Sequence, residues 1–193
     1  MRVLLIGPPA SGKGTQGRRL AADFGVAYLS SGELLRAEVA AGTPLGQQVA
    51  DDLACGDLVP DEVILDVLRP PLETALRSGG YLLDGFPRTV AQARALDEWA
   101  SAVGGQPEAA VWFDVADDEL LRRSRSRASI EGRADDVSAV ARHRIDVYNA
   151  ATAPLIDYYR QAGILIHIDA ARPIDEVAAA VDAALAPFDV RAQ

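Results

Sequence analysis

The run Gly7-Pro8-Pro9-Ala10-Ser11-Gly12-Lys13-Gly14-Thr15 carries the residue types that hold phosphate. Glycines let successive backbone N–H groups turn inward around an anion. Lys13 adds a full positive charge where the β and γ phosphates of a nucleoside triphosphate would lie. It is the only lysine in a chain of 193 residues; every other formal side-chain cation is an arginine. Val3-Leu4-Leu5-Ile6 precedes the run as a strand candidate. Gln16 to Phe24 follows as a helix, with Leu20 and Phe24 four apart on one face. Strand, glycine-rich turn and helix form the setting that separates a phosphate loop from a chance match. The helix N-terminus brings its partial positive charge to the same point. The competing reading is a glycine-rich turn with a surface lysine.

Phosphoryl transfer at such a loop needs positive charge around the anionic groups, alignment, and exclusion of water. Arginine suits that task because its planar fork binds phosphate oxygens in pairs. Arg122, Arg123, Arg125, Arg127 and Arg133 fall within one short region. Arg123 and Arg127 are four apart and share a helix face. Arg122 and Arg125 read as part of a solvated face. The two histidines, His143 and His167, read as surface or packing residues of a helix and a strand.

Composition bounds the rest. The formal net charge of −9 argues against a general nucleic-acid surface, which would be basic. An anionic substrate must then be held by local clusters of cations. Apolar residues make up 49% of the chain, enough for a sizeable core. No run of about 18 apolar residues suggests a membrane span. The chain enters a strand at once, leaving no room for a signal peptide. A single cysteine, Cys55, excludes an internal disulfide and a four-cysteine zinc site. A cytoplasmic monomer, with neither nucleic acid nor membrane as partner, is the expectation.

The elements that must position these residues alternate as βαβα. Strands are expected near 3–6, 26–29, 81–83, 109–113 and 164–168. Helices are expected between them and after the last, where Pro173 suits the first helical position. Ser30 or Ser31 is placed to cap a helix through about Ala40, and 45–54 forms another. Pro70-Pro71 should break or kink the helix that begins at Pro60, and Pro154 should kink or split a long one over 137–161. Ala128 to Asp136 reads as a loop. The expected fold is α/β: a five-stranded parallel sheet flanked by helices. Strand order does not follow from periodicity.

Several stretches, in order along the chain, resemble the adenylate kinase family. The loop itself ends in Gly12-Lys13-Gly14-Thr15, the form seen in nucleoside monophosphate kinases, with the hydroxyl one position later than in the usual phosphate loop. The family's usual version has Gly-Ala where this chain has Ala10-Ser11. The others are Leu29 to Arg36, Gly56 to Asp61, Asp84-Gly85-Phe86-Pro87-Arg88-Thr89 with Gln92, Gly132 to Asp136, and Arg144 with Tyr148 and Thr152 to Leu155. Two departures keep the chemistry: Ser31 stands where threonine is usual, and Glu33 where aspartate is usual.

The resemblance implies a single phosphate-loop kinase domain over 1–193, with a helical nucleoside-monophosphate insert at 30–59 and a short lid at 126–136. It implies reversible transfer of the terminal phosphoryl group of ATP to AMP, giving two ADP. Magnesium would accompany ATP, and no structural zinc is expected. The acceptor oxygen is already ionised near neutral pH, so no side-chain base is needed. Ala10, Ser11, Gly12, Lys13, Gly14, Thr15, Arg127 and the backbone of Arg172 would bind ATP. Ser31, Arg36, Asp57, Leu58, Val59, Gly85, Phe86, Pro87, Arg88 and Gln92 would bind AMP, together with Arg133 and Arg144. Lys13, Arg88, Arg123, Arg133 and Arg144 would act on the transferring group. Asp84 would orient magnesium-bound water, with Thr15 as a further metal candidate; the plainer reading of Asp84 is a turn residue before glycine. Asp135 and Asp136 would either cap the following helix or hinge the lid. A kinase for UMP or CMP shares these features, although its pattern carries asparagine near Gln92. A non-catalytic nucleotide switch is the reading from another class, but the chain has no N-K-x-D guanine motif.

Overall fold

The computed structural model describes residues 1–131 and 138–189. Five parallel strands form one sheet: β1 (Arg2–Ile6), β2 (Ala27–Ser30), β3 (Tyr81–Asp84), β4 (Ala109–Asp114) and β5 (Leu165–Asp169). Their order is β2-β3-β1-β4-β5, so β1 lies at the centre with β3 and β4 beside it. Arg2 pairs with Tyr81 and Leu5 with Asp84 on one side. Leu5 pairs with Val111 on the other.

The apolar runs of the central strands are buried on both faces, as a helix-covered parallel sheet requires. Val3 and Leu5 point to one side, where Leu20, Val111, Phe113, Val177 and Val181 join them. Leu4 and Ile6 point to the other, against Ile64, Leu68, Leu72, Leu83 and Leu96. Each core is built from a strand's alternate residues and a helix's apolar stripe.

Helix α1 (Lys13–Phe24) leaves the phosphate loop. Gln16 and Arg19 tie it to α9 (Ile174–Leu185), through the Ile174 carbonyl at 3.0 Å and the Asp182 carboxylate at 2.7 Å. Helices α2 (Ser31–Ala41) and α3 (Pro44–Cys55) stand between β2 and α4 (Asp61–Arg77). Ser30 is the cap of α2, accepting from the Glu33 N–H; Thr43 caps α3 from the Gly46 N–H at 3.0 Å. Thr89 caps α5 (Val90–Val103) in the same way.

Two expectations need correction. Helix α4 runs unbroken through Pro70 and Pro71. Its buried stripe of Ile64, Leu68, Leu72 and Ala75 holds the helix across the two missing N–H donors. Asp66, whose carbonyl loses its donor to Pro70, is solvent-exposed, and water can serve it. Helix α6 (Asp117–Glu131) runs past Ala128, because nothing before Gly132 breaks it; the rest of the expected loop lies outside the described residues. The proline at 154 acts as expected. Helix α7 (Ser138–Val147) gives way to a wide turn at Tyr148–Thr152, and α8 (Pro154–Gln161) starts on the proline. Among the described residues no helix is long and apolar enough to cross a membrane.

Candidate active site

A cleft opens where the phosphate loop leaves β1, at the C-terminal ends of the strands. That edge is where open α/β sheets bind ligands. The loop from Gly7 to Thr15 forms its floor. Arg36 from α2, Arg88 from the turn after β3, Arg123 and Arg127 from α6, and Arg144 from α7 reach it from the sides. A protein of formal charge −9 thus gathers cations from four elements around one cleft. Glu33 and Asp84 bring carboxylates to the same wall.

Lys13 Nζ donates to the carbonyls of Gly7 and Pro8 at 2.6 and 2.8 Å and to Ser11 Oγ at 3.3 Å. The loop's own oxygens therefore surround the ammonium. Burial pulls the Lys13 pKa down to about 8; Asp84 opposes this, while Arg88, Arg144 and Arg127 add to it. Ser11 is almost wholly buried, and Ala10 takes a left-handed backbone at φ 64°. Thr15 is exposed at the start of α1.

Asp84 ends β3 and is 8% exposed. Its Oδ2 accepts a 2.7 Å bond from Tyr28 Oη. The carboxylate keeps its other oxygen, and with the Thr15 hydroxyl it offers hard oxygen donors beside the loop. Among the described residues no three acidic, histidine or cysteine side chains cluster as a metal cage. One carboxylate acting with substrate phosphates is the donor set that magnesium favours, so the residues fit that ion.

Arg88 Nε donates to the Gly85 carbonyl at 2.9 Å. Its backbone N–H donates to Gln92 Oε1 at 2.7 Å, and Gln92 Nε2 donates to Asp61 Oδ1 at 2.6 Å. Gln92 is 3% exposed, so its amide is held rather than solvated, and it lies behind the cleft wall. Ser31, Phe86 and Val59 are likewise buried, while Gly85, Pro87 and Leu58 face the cleft. Asp57 is exposed and meets His143 Nε2 at 2.6 Å, joining the segment after α3 to α7. Gly56 makes this approach possible: a Cβ there would lie 2.4 Å from Arg144 Cγ.

Arg123 is held by Glu119 at 2.7 Å and reaches the Ala171 carbonyl. Arg122, then Arg123, hydrogen-bonds the half-buried Glu119 and holds its carboxyl down at about 2. Arg122 and Arg125 are exposed and stand outside the cleft, as a solvated face would. Arg172 is exposed and paired with Glu176 at 2.6 Å, away from the cleft. His167 is an exposed residue of β5 beside Asp114. Arg133, Asp135 and Asp136 lie outside the described residues.

Sequence reasoning missed one set of residues at the site. Arg18, Tyr28 and Glu33 line the cleft with Asp84, and Arg18 pairs with Glu33. A signal existed in the alternation of β2, which puts Tyr28 and Ser30 on one face. It points to Asp84 only once β2 is known to lie beside β3, with Ser30 opposite Asp84.

Sheet, loop and converging cations define a phosphate-loop nucleotide kinase. The adenylate kinase family profile matches residues 5–164. An adenylate kinase of Xanthomonas campestris is 47% identical over 96% of this chain and 99% of its own length. That of Methylobacterium nodulans is 45% identical over 96% of each chain, and that of Stenotrophomonas maltophilia is 44% identical over 96% of this one. The chain belongs to the adenylate kinase family.

Proposed function

We infer that the protein transfers the terminal phosphoryl group of ATP to AMP, reversibly, giving two ADP. The observation that carries this is the convergence of Arg36, Arg88, Arg123, Arg127 and Arg144 on the cleft floored by the phosphate loop. A donor and an acceptor phosphate together need more positive charge than one nucleotide does.

In this reading the loop N–H groups and Lys13 hold the β and γ phosphates of ATP. On binding, Lys13 exchanges the loop carbonyls for phosphate oxygens. Arg36 and Arg88 hold the AMP phosphate so that its oxygen lies in line with the γ phosphorus. Arg123, Arg127 and Arg144 balance the charge on the transferring group, with Arg133 assigned to it by resemblance alone. Magnesium bound with ATP supplies charge neutralisation at the phosphate oxygens, and Asp84 and Thr15 are the residues that would face it. Fixed cations in a site closed to water stabilise developing charge without reorganising. The 30–59 insert, carrying α2 and α3, is the segment that closes over AMP, and 126–136 is assigned as the lid over ATP. The enzyme in this reading is a magnesium-dependent cytoplasmic monomer.

The resemblance assigns selection of the base to Gln92, which lies behind the cleft wall and would meet the base only when that wall opens on binding. Its two polar atoms are each engaged once, by Arg88 and Asp61, which fixes the amide's orientation. One acceptor and one donor capacity are left, matching the amino group and ring nitrogen of adenine.

The experiment is ADP disproportionation: purified protein given ADP and magnesium alone should produce ATP and AMP. A nucleotide switch would produce neither. A panel of AMP, UMP, CMP and GMP with ATP should then favour AMP, and faster turnover of CMP would reject the adenine assignment.

A further inference from the structure

Asp84 presents two carboxylate oxygens, but Oδ2 is taken by the Tyr28 hydroxyl at 2.7 Å. Tyr28 stands on β2, across the strand pairing from β3, and its own ring is fixed on two sides. The Arg18 guanidinium carbon lies 5.4 Å from the ring centroid, and Arg18 is in turn paired with Glu33 and bonded to the Gly14 carbonyl at 3.2 Å. The ring also packs closely against α1 at Gly17, where a side chain has no room. A Cβ on Gly17 would come within 2.5 Å of the ring, and one on Gly14 within 3.4 Å of the hydroxyl. The chain Glu33–Arg18–Tyr28–Asp84 thus runs from α2 across α1 and β2 to the end of β3.

We propose that Tyr28 is a positioning residue for Asp84, its hydroxyl holding Oδ2 so that Oδ1 alone is presented to the metal-bound water beside the phosphate loop. The inference rests on the reading of Asp84 as the residue facing magnesium. An aspartate at a strand end has two χ angles with which to turn. One held oxygen removes that freedom before nucleotide arrives, as partners behind a metal site commonly do.

The test uses Tyr28→Phe, which keeps the ring, the Arg18 contact and the fit against Gly17 and removes one oxygen. Manganese serves as the probe, its affinity for the enzyme loaded with two adenosines joined by five phosphates being read by water-proton relaxation. Tyr28→Phe should weaken manganese about 10-fold, within the 10–100-fold range for such partners. The dissociation constant of the same dinucleotide without metal should change less than about 2-fold, a difference that general loosening of the fold would not produce. Asp84→Asn should weaken manganese at least as much, and adding Tyr28→Phe to it should have no further effect. Three outcomes overturn the proposal. If Asp84→Asn weakens manganese but Tyr28→Phe does not, Asp84 faces the metal without help from Tyr28. If the double variant loses the full additional 10-fold, Tyr28 acts by another route. If Asp84→Asn leaves manganese unchanged, the reading of Asp84 fails and the positioning role fails with it. Should Tyr28→Phe fold poorly, Arg18→Met, which frees the ring's outer face, should show the same manganese loss in smaller measure, and no loss there rejects the proposal.

Discussion

The two sides of the cleft, proposed above as donor side and acceptor side, are built in opposite ways. The donor side is one stretch, Gly7 to Thr15, between a buried central strand and a helix that caps it. Its ammonium bonds to a carbonyl only six residues away. The acceptor side is assembled from distant parts: Arg36 on α2, Arg88 after β3 and Arg144 on α7. Its linking bonds span 31 residues from Gln92 to Asp61 and 86 from His143 to Asp57. The first is set by local backbone and the sheet. The second exists only when several elements have docked. A local site is rigid before substrate arrives, whereas an assembled one can change with the docking of α2 and α3.

The largest effect should come from the donor side. Lys13→Met should lower kcat on the order of 100-fold or more, since it removes a cation aimed at developing charge. Its bonds run to loop atoms of Gly7, Pro8 and Ser11, none of which belongs to either apolar core. The melting temperature should therefore stay within a few degrees. Near-normal turnover in a steady-state assay would break the division, because the loop would then not be the phosphate site.

The same division explains what was legible in the sequence. The loop could be read at once, because its chemistry, strand and helix are contiguous. The buried-strand runs are local patterns too, and of the two serines offered as the cap of α2 it is Ser30 that serves; the caps at Thr43 and Thr89 are equally local but are not among the expectations. Strand order is a pairing of distant segments, and so is the contact of Tyr28 with Asp84; neither follows from periodicity. Pro70-Pro71 misled because local propensity was outweighed by the buried stripe of α4. The acceptor arginines could be picked out only through resemblance, since a lone arginine carries no sign of what it will face.

An acceptor-side change should be smaller and selective. Gln92→Leu should raise KM for AMP through an unpaired base edge worth about 1–3 kcal/mol, or roughly 5- to 150-fold. KM for ATP should stay nearly constant, because the loop does not depend on α5. Equal rises in both constants would show that the two sides are one unit.

The pH dependence sharpens the contrast. Lys13 has a pKa of about 8 in the empty site, against an ordinary value of 10.5. Below pH 8 the ammonium is charged and ATP should bind at full affinity. Above it the free protein loses the proton, so affinity should fall toward tenfold per pH unit, until the pKa of the ATP complex is reached. Stability of the empty protein has the opposite sign. A depressed lysine binds fewer protons folded than unfolded, so its contribution rises between pH 8 and 10.5. Above pH 10 the buried phenol of Tyr148, raised to about 12, works against folding, with Tyr81 and Tyr159 raised as well. Calorimetric titration of ATP at pH 7 and 9 reads the affinity, and a flat result would show either that Lys13 keeps its proton to pH 9 or that it stands outside the triphosphate site. AMP affinity, held by arginines that stay charged, should change far less over that range.

The smallest effect tests how finely the loop is pre-formed. Ala10 is the one non-glycine residue with positive φ among the described residues, at 64°. A left-handed backbone costs an L side chain about 1–2 kcal/mol. Replacing it with glycine removes that cost but makes the unfolded chain more flexible, which costs about 0.4–1 kcal/mol. The balance favours Ala10→Gly by about 0.5–1 kcal/mol, a shift of roughly 1–4 °C for a chain of this size. The sign matters more than the size. The loop conformation is imposed by β1, by α1 and by the Lys13 bonds to Gly7 and Pro8, so Ala10 is carried along in a conformation it does not prefer. If calorimetry instead shows Ala10→Gly destabilised, the left-handed residue is not carried along by its surroundings. The donor side would then owe its shape to nucleotide, as the acceptor side is expected to.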